Sequence, residues 1–144
     1  HRREGHRQGE LDPHRLIDMR RDNAGSSTVE VVLTVPVLLT VLMLIVQLGL
    51  YWHATHVAQA AAQEGVRTAR MLDGSAASGE ARTRGFLTHA APSLLTDVTV
   101  TANRDNQHAT VQVHGKVEAV IPGLTLTVDV HADGPSEQFR PDPP

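Results

Sequence analysis

Chemistry in this chain is best sought first at Gly25-Ser26-Ser27-Thr28-Val29-Glu30, where a glycine, three hydroxyl side chains and a carboxylate stand before a long apolar run. Ser27 and Glu30 have the spacing of a capping box, in which the hydroxyl caps a helix start and the carboxylate returns to the cap N–H. A negative charge near a helix N-terminus is also favoured by the dipole. Beside a bilayer the same carboxylate is costly unless paired, by about 2.5–3.5 kcal/mol at the centre and less towards the interface. Capping accounts for Ser27 and Glu30, but not for Gly25 and the arginines before it. The two roles, cap and reactive junction, are compatible.

The histidines are the second place to look. There are nine, and His53 and His56 lie three apart, a spacing suited to metal ligation from one helix face. No cysteine exists and no carboxylate stands near to complete a set, so solvated histidines are expected and no metal. His114 and His131 are expected to face one another across strands, with nothing else converging there. A phosphate loop, a nucleophile elbow and a paired-carboxylate arrangement are all missing, so catalysis and cofactor binding are not expected. The net charge of -3 leaves no basic stripe to neutralise phosphates, which argues against nucleic acid as a partner.

What must position these residues is dominated by one block. Val31 to Trp52 is 22 residues without a formal charge, with Gln47 its only strongly polar member. As a helix it extends roughly 33 Å at ~1.5 Å per residue, against a hydrocarbon core of about 30 Å. A secretory signal has an apolar core of about 7–15 residues, so the block is too long for one, although Ala58-Gln59-Ala60 offers a cleavage-like pattern. A core helix of a soluble protein would show a polar face, and the remaining chain is too small to surround this one. Membrane lipid is therefore an expected partner. Residues 1–25 carry six Arg, whereas the twenty residues after Trp52 carry Arg67 and Arg70, which predicts a cytoplasmic N-terminus and an extracytoplasmic remainder. Tyr51 and Trp52 suit the outer membrane interface. Pro36 removes one backbone hydrogen bond and is expected to kink the helix.

Beyond the block, His53–Leu72 is rich in helix formers and should prolong the helix outward. Ala54, Ala58 and Ala62, then Ala61, Gly65 and Ala69, recur at spacing four and make a narrow face that a helix or sheet can approach closely, another subunit included. Residues 73–80 read as a Gly/Ser loop and 81–90 as a short helix. The period then changes to alternation, giving strands over 97–102, 109–121 and 124–132, with a bulge at Gly115 and a turn at Pro122-Gly123. Three antiparallel strands with one apolar face need cover, and the helix at 53–72 is the candidate. With no disulfide available, burial alone must hold this part together. The tail from Gly134 to Pro144, with four prolines in its last ten residues, should be irregular.

The run GSSTVEVVLTVPVLLTVLMLIVQLGLYWHATHVAQAAAQEGVRTAR resembles the TadE-like family, the minor pseudopilins of tight-adherence pilus systems. The likeness extends over about residues 22–140 and is weaker in the strand region around Ile121-Pro122-Gly123-Leu124. It implies an α+β, pilin-like fold: a long N-terminal transmembrane helix extended outside the membrane and packed on a small three-stranded antiparallel meander. It implies five segments: a leader at 1–25, a transmembrane helix at 26–52, its extension at 53–72, a small domain at 73–133 and a Pro-rich tail at 134–144. It also implies that a prepilin peptidase cuts between Gly25 and Ser26, where glycine offers an unhindered, extended backbone. Glu30 would then be the fifth residue of the mature chain, neutralised during assembly by a subunit's free amino terminus. Other pilin subunits and the assembly platform are the implied further partners. The rival reading is a membrane-anchored or secreted extracytoplasmic binding domain unrelated to pili. Because residue 1 is His and not Met, the true start is expected to lie elsewhere.

Overall fold

A computed structural model describes residues 13–137, with side chains from Thr28 onward. Helix α1 spans Pro13–Arg70, α2 Ala76–Ala90, and three strands follow: β1 Leu95–Arg104, β2 His108–Val117 and β3 Leu126–Pro135. Contacts divide the chain into two compact units, His1–Val41 and Leu42–Pro144. The expected transmembrane and extension helices are parts of one element, α1.

In the first unit the described part of α1 runs from Pro13. The expected helix start near Ser27 is not observed, since the backbone is already helical there. From Thr28 to Val41 every side chain is exposed. Helix continues through Pro36, and the Thr40 hydroxyl donates to the Pro36 carbonyl at 2.8 Å. Residues 1–12 of the expected leader lie outside the described part, as do residues 138–144 of the expected tail.

The second unit has two layers. Its sheet has the order β1-β2-β3, antiparallel throughout, so it is the meander that alternation predicts. Ala109, Val111, Val113 and Val117 of β2 and Val128, Val130 and Ala132 of β3 are buried on one face. That face meets Ala54, Ala58, Ala61, Ala62 and Val66 of α1 in a single cluster that also takes in Leu87, Leu95 and Val100. The other face is polar, as expected for a half-solvated antiparallel sheet. There His114 pairs with Asp129 and Gln112 with His131, so the two histidines do not face each other as predicted.

Small side chains set the helix–helix distance. A Cβ on Gly65 would lie 2.9 Å from the Gly79 carbonyl oxygen, and one on Gly79 would lie 2.8 Å from Ala69 Cβ. The two helices cross at this pair of glycines. Helix α2 starts five residues earlier than composition suggests, because Ser75 and Ser78 form a reciprocal capping box in the stretch that reads as a loop. The last α1 carbonyl is satisfied by a distant segment: Arg70 O accepts from the Glu137 N–H at 2.9 Å. Gly134 and Pro135, assigned to the tail by composition, close the ladder of β3.

The bulge lies in β1, not at Gly115. Thr96 pairs with Lys116 and Thr99 with His114, so Asp97 and Val98 together oppose the single residue Gly115. Asp97 takes φ 51°, and its carboxylate meets Lys116 Nζ at 2.9 Å. The β1–β2 turn is fixed by Asp105, whose Oδ1 accepts from the N–H groups of His108 at 2.6 Å and Gln107 at 2.7 Å. These two bonds, His108 first, hold the Asp105 carboxyl below its ordinary value of 3.8.

Two predictions follow from this packing. Gly65→Leu forces the helices apart and should destabilise the folded chain by about 1–3 kcal/mol or more, read from thermal unfolding in detergent. For Asp105 a lowered folded pKa means its contribution is present above the unfolded value and fades as pH falls through the folded one. The amide shifts of Gln107 and His108 should therefore titrate with a midpoint below 3.8, and Asp105→Asn should abolish that titration.

Candidate membrane and assembly site

Glu30 is exposed on α1, immediately before the uncharged block, and among the described residues it has no ion-pair partner. The helix that already runs through residues 13–27 removes the capping explanation. Ser27 has helical backbone, whereas a cap residue does not, and Glu30 stands several turns beyond the region in which the dipole favours a carboxylate. Gly25 and Ser26 also lie in helix, so the extended backbone expected there is not the resting conformation.

From Val29 to Val46 the large apolar side chains of α1 face outward, Leu38 by 66% and Ile45 by 62%. Described α1 is thus one helix long and apolar enough to cross a membrane, and its most apolar 18-residue stretch is not buried by protein. In water this would be an exposed apolar surface far larger than a soluble monomer tolerates. Towards its end, Trp52 is 71% exposed and its ring meets His56 edge-on, centroids 5.6 Å apart. Tyr51 turns inward, half-buried against the core. The neighbouring aromatics therefore differ: Trp52 projects outward while Tyr51 also serves the fold. Among the described residues, no three His, Asp or Glu side chains are grouped so as to hold a metal ion.

Gln47 was not marked as a site by its sequence, yet it is the most instructive residue of the block. It is 1% exposed amid outward-facing Leu, Ile and Val. Its amide Nε2 donates to the Glu118 carbonyl at 3.3 Å, and its Oε1 accepts from the Val120 N–H at 2.7 Å. Both ends of the amide are used. This clamp accounts for β2 stopping at Val117 and not at Ile121: the Glu118 carbonyl and Val120 N–H bond to Gln47, and the Glu118 N–H to the Leu94 carbonyl, instead of to β3. The available signal was positional, since Gln47 precedes Ala54 by seven residues and so shares the buried stripe of α1. That stripe, Ala54 to Ala69, is occupied by the chain's own sheet and α2, so its small residues are not free to receive another subunit.

The uncharged exposed helix and the residues of its buried stripe are continuous with a recognised sequence pattern. Residues 25–67 match the family of TadE-like proteins. The TadE-like segment opens at Gly25 and closes at Arg67, three residues before α1 ends. It thus includes Ser26, Glu30, Gln47, Tyr51 and Trp52, together with the alanines that seat the sheet. The strand region, which the sequence likeness also took in, lies beyond the TadE-like match. No curated protein and no solved structure matches the chain.

Replacing Gln47 tests the clamp. Gln47→Leu keeps the apolar volume but leaves the Val120 N–H and Glu118 carbonyl without partners, which should cost about 1–3 kcal/mol. Amide exchange at Val120 in detergent should accelerate while exchange in the centre of β2 changes little.

Proposed function

We propose that the chain is a pseudopilin-like structural subunit of a tight-adherence type pilus or secretion system, without enzymatic activity of its own. The observation that carries this reading is the TadE-like match, which opens at Gly25 and holds Glu30 in register with an exposed, uncharged helix. The arginines before Gly25 keep that end in the cytoplasm, and the sheet lies on the extracytoplasmic side of the cell membrane. A prepilin peptidase cuts the Gly25–Ser26 bond. Peptidases take extended substrate, so about one turn of α1 must open first. Asn23 to Thr28 suits that opening, because Gly, Asn, Ser and Thr are weak helix formers, with Gly about 1 kcal/mol less favourable than Ala.

Cleavage also changes the meaning of Glu30. In the intact chain its carboxylate is far from the helix start; after the cut it stands in the second turn of a helix that begins with a charged amine. The amino terminus of this or a neighbouring subunit then supplies the cation that a carboxylate at the edge of the hydrocarbon requires. Assembly proceeds through the exposed part of α1, with other pilin subunits and the assembly platform as partners. Secretory cleavage near Ala60 is disfavoured by the packing, because it would strip Gln47, Ala54 and Ala58 from the core.

Amino-terminal sequencing of the protein from membranes containing a prepilin peptidase should return Ser26 first. Gly25→Leu should leave the leader in place, and Glu30→Ala should be processed normally but fail to enter filaments. A first residue near Gln59–Gln63, or normal processing of Gly25→Leu, would overturn the assignment.

A further inference from the structure

The β2–β3 connection, residues 118–125, is tied at its start both to the apolar helix and to the segment that precedes β1. Gln47 bonds the backbone of Glu118 and Val120, and the Glu118 N–H donates to the Leu94 carbonyl at 3.0 Å. The connection therefore sits at the level of Gln47 on α1. Gln47 precedes Trp52 by five residues, which places it about 7.5 Å further into the apolar stretch at ~1.5 Å per residue. Around it on the helix, Leu44, Ile45, Val46 and Leu48 are exposed by 44–62%.

The connection has the composition that such a level demands. Between Glu118 and Asp129 the chain reads AVIPGLTLTV, ten residues without a charge. Val120 is 39% exposed, Pro122 is exposed, and Ile121 and Leu124 are half-buried. The turn is tight: Gly123 adopts φ +82°, a conformation suited to glycine, and the Leu124 N–H returns to the Ile121 carbonyl at 3.2 Å. This internal bond satisfies part of the backbone, as a segment entering lipid must. Charges bound the run only at its two ends, at Glu118, whose side chain is exposed, and at Asp129 on the polar face of β3.

We infer that the Ala119–Leu124 turn is a second membrane contact, dipping beside α1 into the headgroup and upper acyl region on the side of the bilayer where the sheet lies. Lipid is the occupant because the turn is continuous with the exposed apolar helix surface at the same level. The expected insertion is shallow, roughly 5–10 Å, as for other interfacial apolar segments. Helix and turn together then fix the tilt of the sheet against the membrane, which a single helix cannot do. The inference rests on α1 crossing a bilayer.

The chain contains no cysteine, so single labels are easily introduced. An environment-sensitive fluorophore is attached to Val120→Cys, and separately to Pro122→Cys, in the full chain reconstituted into phosphatidylcholine nanodiscs. Leu38→Cys serves as the helix reference and Thr127→Cys, on the polar sheet face, as the aqueous one. Labels at 120 and 122 should be blue-shifted, quenched by lipids carrying a shallow nitroxide, and shielded from aqueous iodide. Iodide quenching like that at 127, with the label at 38 still quenched by lipid, would overturn the turn's insertion while leaving the helix in the membrane. Shielding from both quenchers would mean that a second copy covers the turn, which also overturns it. Loss of lipid quenching at 38 would overturn the membrane span and the inference together.

Discussion

The close seating of a small-residue helix stripe on the sheet is the contact on which the rest of this structure depends. Without cysteines and with few aromatics, the Leu42–Pro144 unit has to gain its stability from close packing of Ala and Val. Such side chains bury little area each, so the layers must approach closely for dispersion and hydrophobic terms to accumulate. The alanines at 54, 58, 61 and 62 permit this on the sheet side, and Gly65 and Ala69 with Gly79 permit it where α2 crosses. Gln47 ends the stripe on the membrane side with two hydrogen bonds instead of a methyl group. Burying an amide there is tolerable because both of its ends are matched, whereas an unmatched one would cost about 2–7 kcal/mol on transfer from water.

Much of this was legible from local pattern. Twenty-two uncharged residues announce the span, alternation announces three strands, and the switch from helical to two-residue period separates helix from sheet. The order β1-β2-β3 follows because short connections leave a meander as the simplest pairing. What was missed has one cause in common: long-range or reciprocal hydrogen bonds override local composition. Val117–Ile121 alternates well enough to be strand, but Gln47, more than seventy residues away, takes its backbone. Residues 73–80 are rich in Gly and Ser, yet one serine pair converts part of them into the first turn of α2. Gly115 reads as the bulge and is instead the residue opposite it, because the extra residue is carried by β1 at Asp97 and Val98.

The candidate site was legible in a different way. Gly25, Ser26 and Glu30 stood out by chemistry and register, and the family match covers all three. A helix start at Ser27 is the competing explanation for Glu30, and the structure has helix running through that position instead. The inward packing of Tyr51 beside an exposed Trp52 could not be read from composition, because adjacent helical positions differ by about 100° in direction.

The stripe from Gln47 to Ala69 has a mechanical consequence. Between those residues helix and sheet are joined along several turns with no hinge between them, so any torque about the helix axis in this stretch reaches the sheet undiminished. One residue inserted between Gln47 and Ala54 would swing the two anchor points about 100° apart. The spacing works as a key cut to one lock: the phase of the helix, and not merely its length, decides which way the sheet faces.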